Sequence, residues 1–432
     1  MTGHERRVVV TGLGLVTGLG EGAAESWKAL LAGQSAIGPL RAYDPEPLQT
    51  RLGVEIDGFD PSRWASRRTL KAVTRSEELA MAGASLALAD AGIDAEAGLG
   101  DRTGLFLGSN KEAPETAGMI RSLNDVRKPD GSADLPEIGR RAQTLIHPLL
   151  YVVGLQPAAG FYISERYGIR GPNNFFAGTA EAGAVAIGRA ARAVRRGEAE
   201  LALAGGFDDA TSWWSMAKLD VVGQLTTDNQ RGAEAVRPFD RDRSGYVLGE
   251  GAALLVLEER EHARARGARI YAELTGFGSG NERVRPHGTT EDGAGLARAI
   301  RRALRDADNG PGGAPAGVDY VAAHGDATPS GDISETRALR GALGTAADTL
   351  QASSVKPQTG HLVGGAGALN AAVAALALDS GVVPATCHLT DPDPACDLDY
   401  VPGEPRETRP ESALALARGL DGQAVALSLS RA

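Results

Sequence analysis

Apolar positions along the chain fall into short β-branched runs separated by long alanine-rich stretches. Val8–Thr11, Thr103–Gly108, Leu201–Gly205, Ala252–Glu258, Tyr320–Ala323 and Ala424–Ser428 are largely apolar rather than alternating, the pattern of strands buried on both faces. Ser76–Ala89, Glu181–Arg196, Gly293–Asp306 and Leu369–Leu378 read as helices, several followed closely by Gly. The first half ends near Glu258, and a second β-rich segment, Arg269–Gly276, opens the next. Strands that alternate with helices predict an α/β layered fold. Asp130–Asp134 and Asn309–Gly313 read as surface loops, and no low-complexity linker separates the halves.

A chain of 432 residues has room for two or three average domains, or for one large fold with an internal duplication. Its 57 glycines and many alanines point to close packing of small side chains. No run of 18 apolar residues occurs, which argues against a membrane span. The N-terminus passes within a few residues into an apolar strand, so no signal peptide is expected and the expected compartment is the cytoplasm. The net charge of −10 argues against nucleic acid as a partner. Two local basic clusters stand out, Arg63-Arg67-Arg68-Lys71-Arg75 and Arg189-Arg192-Arg195-Arg196, and each suits a solvated helix face. The two cysteines, Cys387 and Cys396, give no disulfide framework. None of the seven histidines sits in a metal-ligand spacing, so neither a metal nor another cofactor is expected.

Chemistry-bearing motifs recur in order along the whole chain. Gly171-Pro172-Asn173 leads to Thr179-Ala180-Glu181, and Gly183 with Ala186-Ile187-Gly188 follows. Upstream is Val8-Val9-Val10-Thr11-Gly12-Leu13-Gly14; downstream are Arg237-Pro238-Phe239-Asp240 through Gly251, Ala323-His324-Gly325, Lys356, and Gly360-His361-Leu362-Val363-Gly364-Gly365. Together these resemble the β-ketoacyl-carrier-protein synthases, or ketosynthases, from about Arg7 to Ser430. The resemblance implies the thiolase fold, two similar halves stacked as α-β-α-β-α layers. The N-terminal half would span residues 5–258 and the C-terminal half residues 259–432.

In that family a cysteine at the start of a buried helix carries the acyl chain, its thiol activated by the helix dipole and served by an oxyanion hole. The register places that cysteine on Ala180, whose methyl group cannot form a thioester. The resemblance puts the two assisting histidines at His324 and His361, the lysine at Lys356 and the glutamate at Glu335. These four either keep a catalytic role or persist as a buried hydrogen-bond network, since removing one member costs about 1–3 kcal/mol. Thr179 and Glu181 flank the missing thiol and are weak substitutes: the first needs an adjacent base, and the second would point about 100° away on a helix.

Two further departures bear on substrate handling. The family follows its last core strand with a glycine-rich gating loop, and here the chain reads Leu427-Ser428-Leu429-Ser430-Arg431-Ala432, so that gate is expected to be missing. The family's pantetheine-binding H-G-T-x-T-P reads His324-Gly325-Asp326-Ala327-Thr328-Pro329, which keeps Thr328 and places the Asp326 carboxylate in the channel. A buried carboxylate calls for a cationic neighbour; Arg283 and Arg285 of the adjacent loop are candidates, Arg285 the favoured one. The resemblance implies an acyl carrier protein as partner, and a dimer buried around His147–Tyr167 and the strand entering Ala177, either with itself or with a cysteine-bearing homologue. The leading functional expectation is a non-condensing partner subunit, a chain-length factor. The alternatives are a malonyl-thioester decarboxylase, in whose class glutamine usually replaces the cysteine, and a repurposed acyl transferase or cyclase. Phe175, Phe176 and Phe207 are the side chains expected to close the pocket at Ala180.

Overall fold

The computed structural model describes residues 6–95, 97–110, 116–145, 155, 157–282, 288–308, 310 and 317–432. Its principal strands are β1 (Val8–Thr17), β2 (Thr103–Asn110), β3 (Asn173–Gly178), β4 (Leu201–Asp209), β5 (Leu248–Glu259), β6 (Ala272–Asn281), β7 (Tyr320–Ala322), β8 (Gln351–Ser353), β9 (Ser412–Arg418) and β10 (Gln423–Ser430). They lie in the order β8-β7-β9-β10-β6-β1-β5-β4-β2-β3. From β1 outward, the pairings with β5 and then β4 are antiparallel, and those with β2 and then β3 are parallel. From β6 outward, β10 and β9 pair antiparallel, then β7 and β8 parallel. The same succession of pairings thus occurs twice, and the two sheets meet where Val9 and Val10 pair with Glu273 and Ala272.

The helices that build the layers are α1 (Arg75–Asp90), α2 (Ala158–Tyr167), α3 (Ala182–Arg195), α4 (Trp213–Val222), α5 (Ala294–Asp308), α6 (Pro329–Leu343) and α7 (Ala366–Ser380). α3 and α7 pack on each other between the two sheets; α1 covers β1, β5 and β4 outside, while α5 covers β6 and β10 with α6 against it. The result is the five-layered α-β-α-β-α arrangement. Every position of α7 from Ala366 to Leu378 is buried, as a helix apolar all round must be in a soluble core or a membrane. Among the described residues Val363–Ser380 is the stretch long and apolar enough to cross a membrane, and 89% of it is buried inside this fold. Small residues make the central layer possible: a Cβ on Gly108 of β2 would lie 2.3 Å from the carbonyl carbon of Ala182 in α3.

β9 was not legible in the sequence. Three of the seven residues of Ser412-Ala413-Leu414-Ala415-Leu416-Ala417-Arg418 are alanine, a residue depleted in strands, yet every position is buried. This corrects the reading of the C-terminus. The strand expected at Ala424–Ser428 is the last one, β10, and a turn, Gly419–Gly422, precedes it and lies against the site, so the loop expected to be missing after a core strand has a counterpart here, between β9 and β10. Of the expected dimerisation segment, residues 147–154 and 156 lie outside the described residues, while α2 is described and carries Phe161 at 65% exposure.

Candidate functional site

The site forms where the N-terminal end of α3 meets the loops after β7 and before α7. Ala180 ends the turn between β3 and α3; it is buried, and its carbonyl accepts the Gly367 N–H at 3.0 Å. A side chain there sits beside the unpaired N–H groups of a helix start, where negative charge is favoured. Ala180, Thr179, His324, Asp326, His361 and Arg418 line one cavity with Leu219, Gln224, Tyr246, Thr289, Val363 and Leu420. Its volume is about 30 Å³, enough for a water or two.

Glu335 and Lys356 hold the backbone of the loop that carries His324. Both oxygens of Glu335, on α6, accept backbone N–H groups, from His324 and Gly325, each at 2.7 Å. Lys356 Nζ donates to the His324 carbonyl. Neither side chain lines the cavity, so both act as positioning groups. His324 and His361 do line it, ring centroids 5.5 Å apart and nearly perpendicular. His361 Nδ1 accepts the Val363 N–H at 3.0 Å, which leaves the proton of a neutral ring on Nε2. His324 Nδ1 accepts the Arg418 N–H at 3.4 Å, and its Nε2 lies 3.5 Å from Asp326 Oδ2.

Asp326 is thus met by the chain's own histidine, and by Thr328 as well. Thr328 donates to Asp326 Oδ1 from N at 2.9 Å and from Oγ1 at 2.7 Å. Its hydroxyl also accepts the Gly331 N–H at 3.1 Å as the N-cap of α6. The expected carrier-arm contact of Thr328 therefore competes with two bonds already made. Arg283 and Arg285 lie outside the described residues; among those described, His324 is the basic group facing Asp326. Burial pushes the Asp326 carboxyl up, but the bonds from His324 and Thr328 outweigh it and hold it below the usual range. Burial first and Lys356 second hold His324 low, against the pull of Asp326. Burial, Lys356 and His324 do the same to His361. Burial brings Lys356 down to about 8 against Asp326, Glu335 and Asp332. At neutral pH the cavity is therefore lined by the Asp326 carboxylate, two neutral imidazoles and the Arg418 guanidinium, the last paired with Glu282.

Phe175, Phe176 and Phe207, expected to close the pocket, do not line it. Phe207 is fully buried, its ring 6.5 Å from that of Phe175, and both belong to the cluster on the other sheet face from Ala180, while Phe176 packs against the cluster of Ala180 without lining the cavity. Leu219 of α4, Tyr246, Val363 and Leu420 supply its apolar lining instead, with Tyr246 stacked obliquely 4.8 Å from His361. Thr179 and Glu181 face each other: Glu181 Oε2 accepts from Thr179 Oγ1 at 2.9 Å, and that oxygen accepts the Leu420 N–H at 3.0 Å. Neither cysteine reaches the site. Both are buried, and burial with Asp332 pushes the Cys396 thiol up to about 12.

Three functional side chains were not singled out from the sequence. Arg243, inside the Arg237–Gly251 motif, bonds Asp393 at 2.7 Å and lies 3.5 Å from Asp332. Asp332 in turn accepts N–H groups from Phe239 and Ala327, so the motif buttresses the loop carrying Asp326. Arg418, the third, sits at the end of the unrecognised β9.

Comparison with known proteins gives the same picture. Residues 5–263 match the beta-ketoacyl synthase N-terminal domain and residues 271–390 the C-terminal domain. The chain is 34% identical to 3-oxoacyl-[acyl-carrier-protein] synthase 2 of Coxiella burnetii, covering 99% of each. It is 35% identical to the tetracenomycin polyketide synthase ketoacyl synthase alpha subunit of Streptomyces glaucescens, over 100% of this chain and 99% of that one. The ishigamide ketosynthase/chain length factor superposes with a TM-score of 0.86 at 30% identity, covering 99% of this chain and 100% of that one. A type II polyketide synthase acyl-carrier protein in complex with its ketosynthase gives a TM-score of 0.86 at 29% identity, with the same coverage. With both domains matched and relatives aligned end to end, the chain belongs to the beta-ketoacyl synthase family of fatty-acid and polyketide biosynthesis.

Proposed function

We propose that this chain is the non-condensing, chain-length-factor-like partner subunit of a ketosynthase heterodimer. The observation that carries the reading is the cavity at Ala180. It holds about 30 Å³, has no thiol among its described lining residues, and presents the chain's own Asp326 to His324 Nε2 at 3.5 Å. A condensing site needs room for a thioester and free donors aimed at its carbonyl oxygen; here one donor already faces a carboxylate. Kinship with a ketosynthase/chain length factor and with a ketosynthase bound to its carrier protein makes a cysteine-bearing ketosynthase and an acyl carrier protein the natural partners. His324, His361, Lys356 and Glu335 then serve chiefly to hold the core of the subunit.

The decarboxylase reading keeps one supporting observation: both histidines line the same cavity, with His361 Nε2 left to donate. One experiment separates the two. The chain is co-expressed with a cysteine-bearing homologue from the same kind of pathway, and the complex and the isolated chain are each given malonyl-carrier protein. A stable heterodimer that extends malonyl units, beside an isolated chain that releases no carbon dioxide, fits the partner subunit. Carbon dioxide release by the isolated chain, abolished by His324→Ala, would establish the decarboxylase instead.

A further inference from the structure

Arg418 is a buried guanidinium in the wall of the cavity, and its bonds tie the end of β6 to the first turns of α6. Its Nη2 meets Glu282 Oε2 at 3.2 Å and Oε1 at 3.4 Å, and Ser334 Oγ at 3.0 Å; its Nη1 donates to the Gly331 carbonyl at 3.2 Å. Only 6% of the Arg418 side chain and 2% of the Glu282 side chain are exposed. Glu282, just beyond β6, also accepts N–H groups from Thr290 at 3.1 Å, Gly295 at 3.1 Å and Leu296 at 3.4 Å, which anchors the start of α5. Its own N–H donates to the Gly422 carbonyl at 2.8 Å. The turn Gly419–Gly422 is therefore held at its first end by Arg418, at its last by Glu282, and in the middle by the Leu420 N–H on Thr179 Oγ1. Gly419 and Leu420 are the residues that this clamp presses against Ala180 and the histidines.

We infer that the Arg418–Glu282 pair is an ionic latch that pins the β9–β10 turn over the Ala180 cavity and keeps that cavity too small for an acyl thioester. The inference rests on the non-condensing reading of the site and adds to it the residues that do the closing. Buried charges cost free energy unless paired and hydrogen-bonded. Here the guanidinium makes two further bonds and the carboxylate three, so the turn can lift only by stranding a charge. A neutral side chain at 418 would impose no such penalty.

Ala180→Cys supplies the reporter, since a thiol there is alkylated only when the turn opens. Iodoacetamide is the probe, peptide mass identifies the alkylated position, and the buried Cys387 and Cys396 serve as internal controls. In the folded, isolated chain carrying Ala180→Cys alone, alkylation at position 180 should be slower than in denaturant by on the order of a hundredfold. Adding Arg418→Met with Glu282→Gln removes both charges together and should raise the rate by on the order of tenfold. Ser334→Ala, which removes one bond and keeps the charges paired, should fall between. The latch is overturned if Ala180→Cys alone reacts as fast folded as unfolded, or if the folded double variant leaves the rate unchanged. Should the double variant not fold, Ser334→Ala decides: a faster rate supports the latch and an unchanged one sinks it. Heterodimer formation reads the underlying function separately, so an intact heterodimer with an unlatched cavity sinks the latch alone.

Discussion

The methyl group of Ala180 offers no nucleophile, and the character of the surrounding groups depends on Asp326. It stands next to two neutral imidazoles, in a cavity whose Arg418 guanidinium is already paired with Glu282. A thiol introduced by Ala180→Cys would gain from the helix start and lose from the nearby negative charge. Asp326→Asn in that background should therefore make the thiol titrate about one pH unit lower, as read from the pH dependence of its alkylation in the folded chain. An unchanged titration would mean that Asp326 is not ionised beside His324. Without Ala180→Cys, acyl-CoA or acyl-carrier protein should leave the mass of the chain unchanged. A stoichiometric adduct on Thr179, whose hydroxyl already donates to Glu181, would overturn the reading of the site.

Helix starts are where local sequence chemistry becomes site geometry. Thr328 caps α6 and holds Asp326 with the same hydroxyl, so Thr328→Ala should cost about 1 kcal/mol in urea unfolding and free the Asp326 carboxylate to rotate. α1 begins with a capping box in which Glu77 accepts from Thr74 N at 2.7 Å. Glu77 is buried, and burial outweighs the Thr74 bonds to push its carboxyl up to about 7. Its folded pKa is thus raised above the unfolded one. The stability it contributes is complete below pH 4.5 and is lost as pH rises towards 7, a swing of about 3 kcal/mol. Glu77→Gln should match the wild type near pH 4 and be more stable by about 2–3 kcal/mol at pH 8; equal stability at both pH values would refute the assignment. Such elements show what a sequence can and cannot disclose. His324, His361, Lys356 and Glu335 were legible because short motifs fix them and the strand–loop geometry brings them together. Glu282 and Arg418 were not, since a partnership across 136 positions follows from packing and leaves no local signal. The phenylalanine lid failed for a related reason: nearness to Ala180 in sequence does not decide which sheet face a side chain takes. β9 was hidden by alanines that only a sheet covered on both sides makes sense of.

At the scale of the whole molecule, the duplication leaves two outer edges that are not treated alike. In the C-terminal sheet the edge strand β8 is covered, Ala352 N–H donating to the Asp399 carbonyl at 2.8 Å. In the N-terminal sheet the edge strand β3 exposes Asn173, Asn174 and Ala177 among the described residues. An exposed strand edge invites pairing with another chain. On the neighbouring strand β2 packs α2, which turns Phe161 outward at 65% exposure. An apolar face next to an open edge is the mark of an interface, and the relatives include a ketosynthase/chain length factor. The arginine cluster of α3 does not compete for this role, because Arg195 is committed to Asp306 at 3.0 Å and Arg192 lies over the Phe277 ring. The chain should therefore sediment as a dimer at micromolar concentration, with a cysteine-bearing homologue in preference to itself when both are present. Phe161→Asp places a charge in the apolar face without touching the cavity, so it should shift the protein towards monomer while leaving its circular dichroism unchanged. A wild-type monomer at that concentration, or a Phe161→Asp protein that dimerises as well as the wild type, would show that the open edge of β3 is not where the second subunit binds.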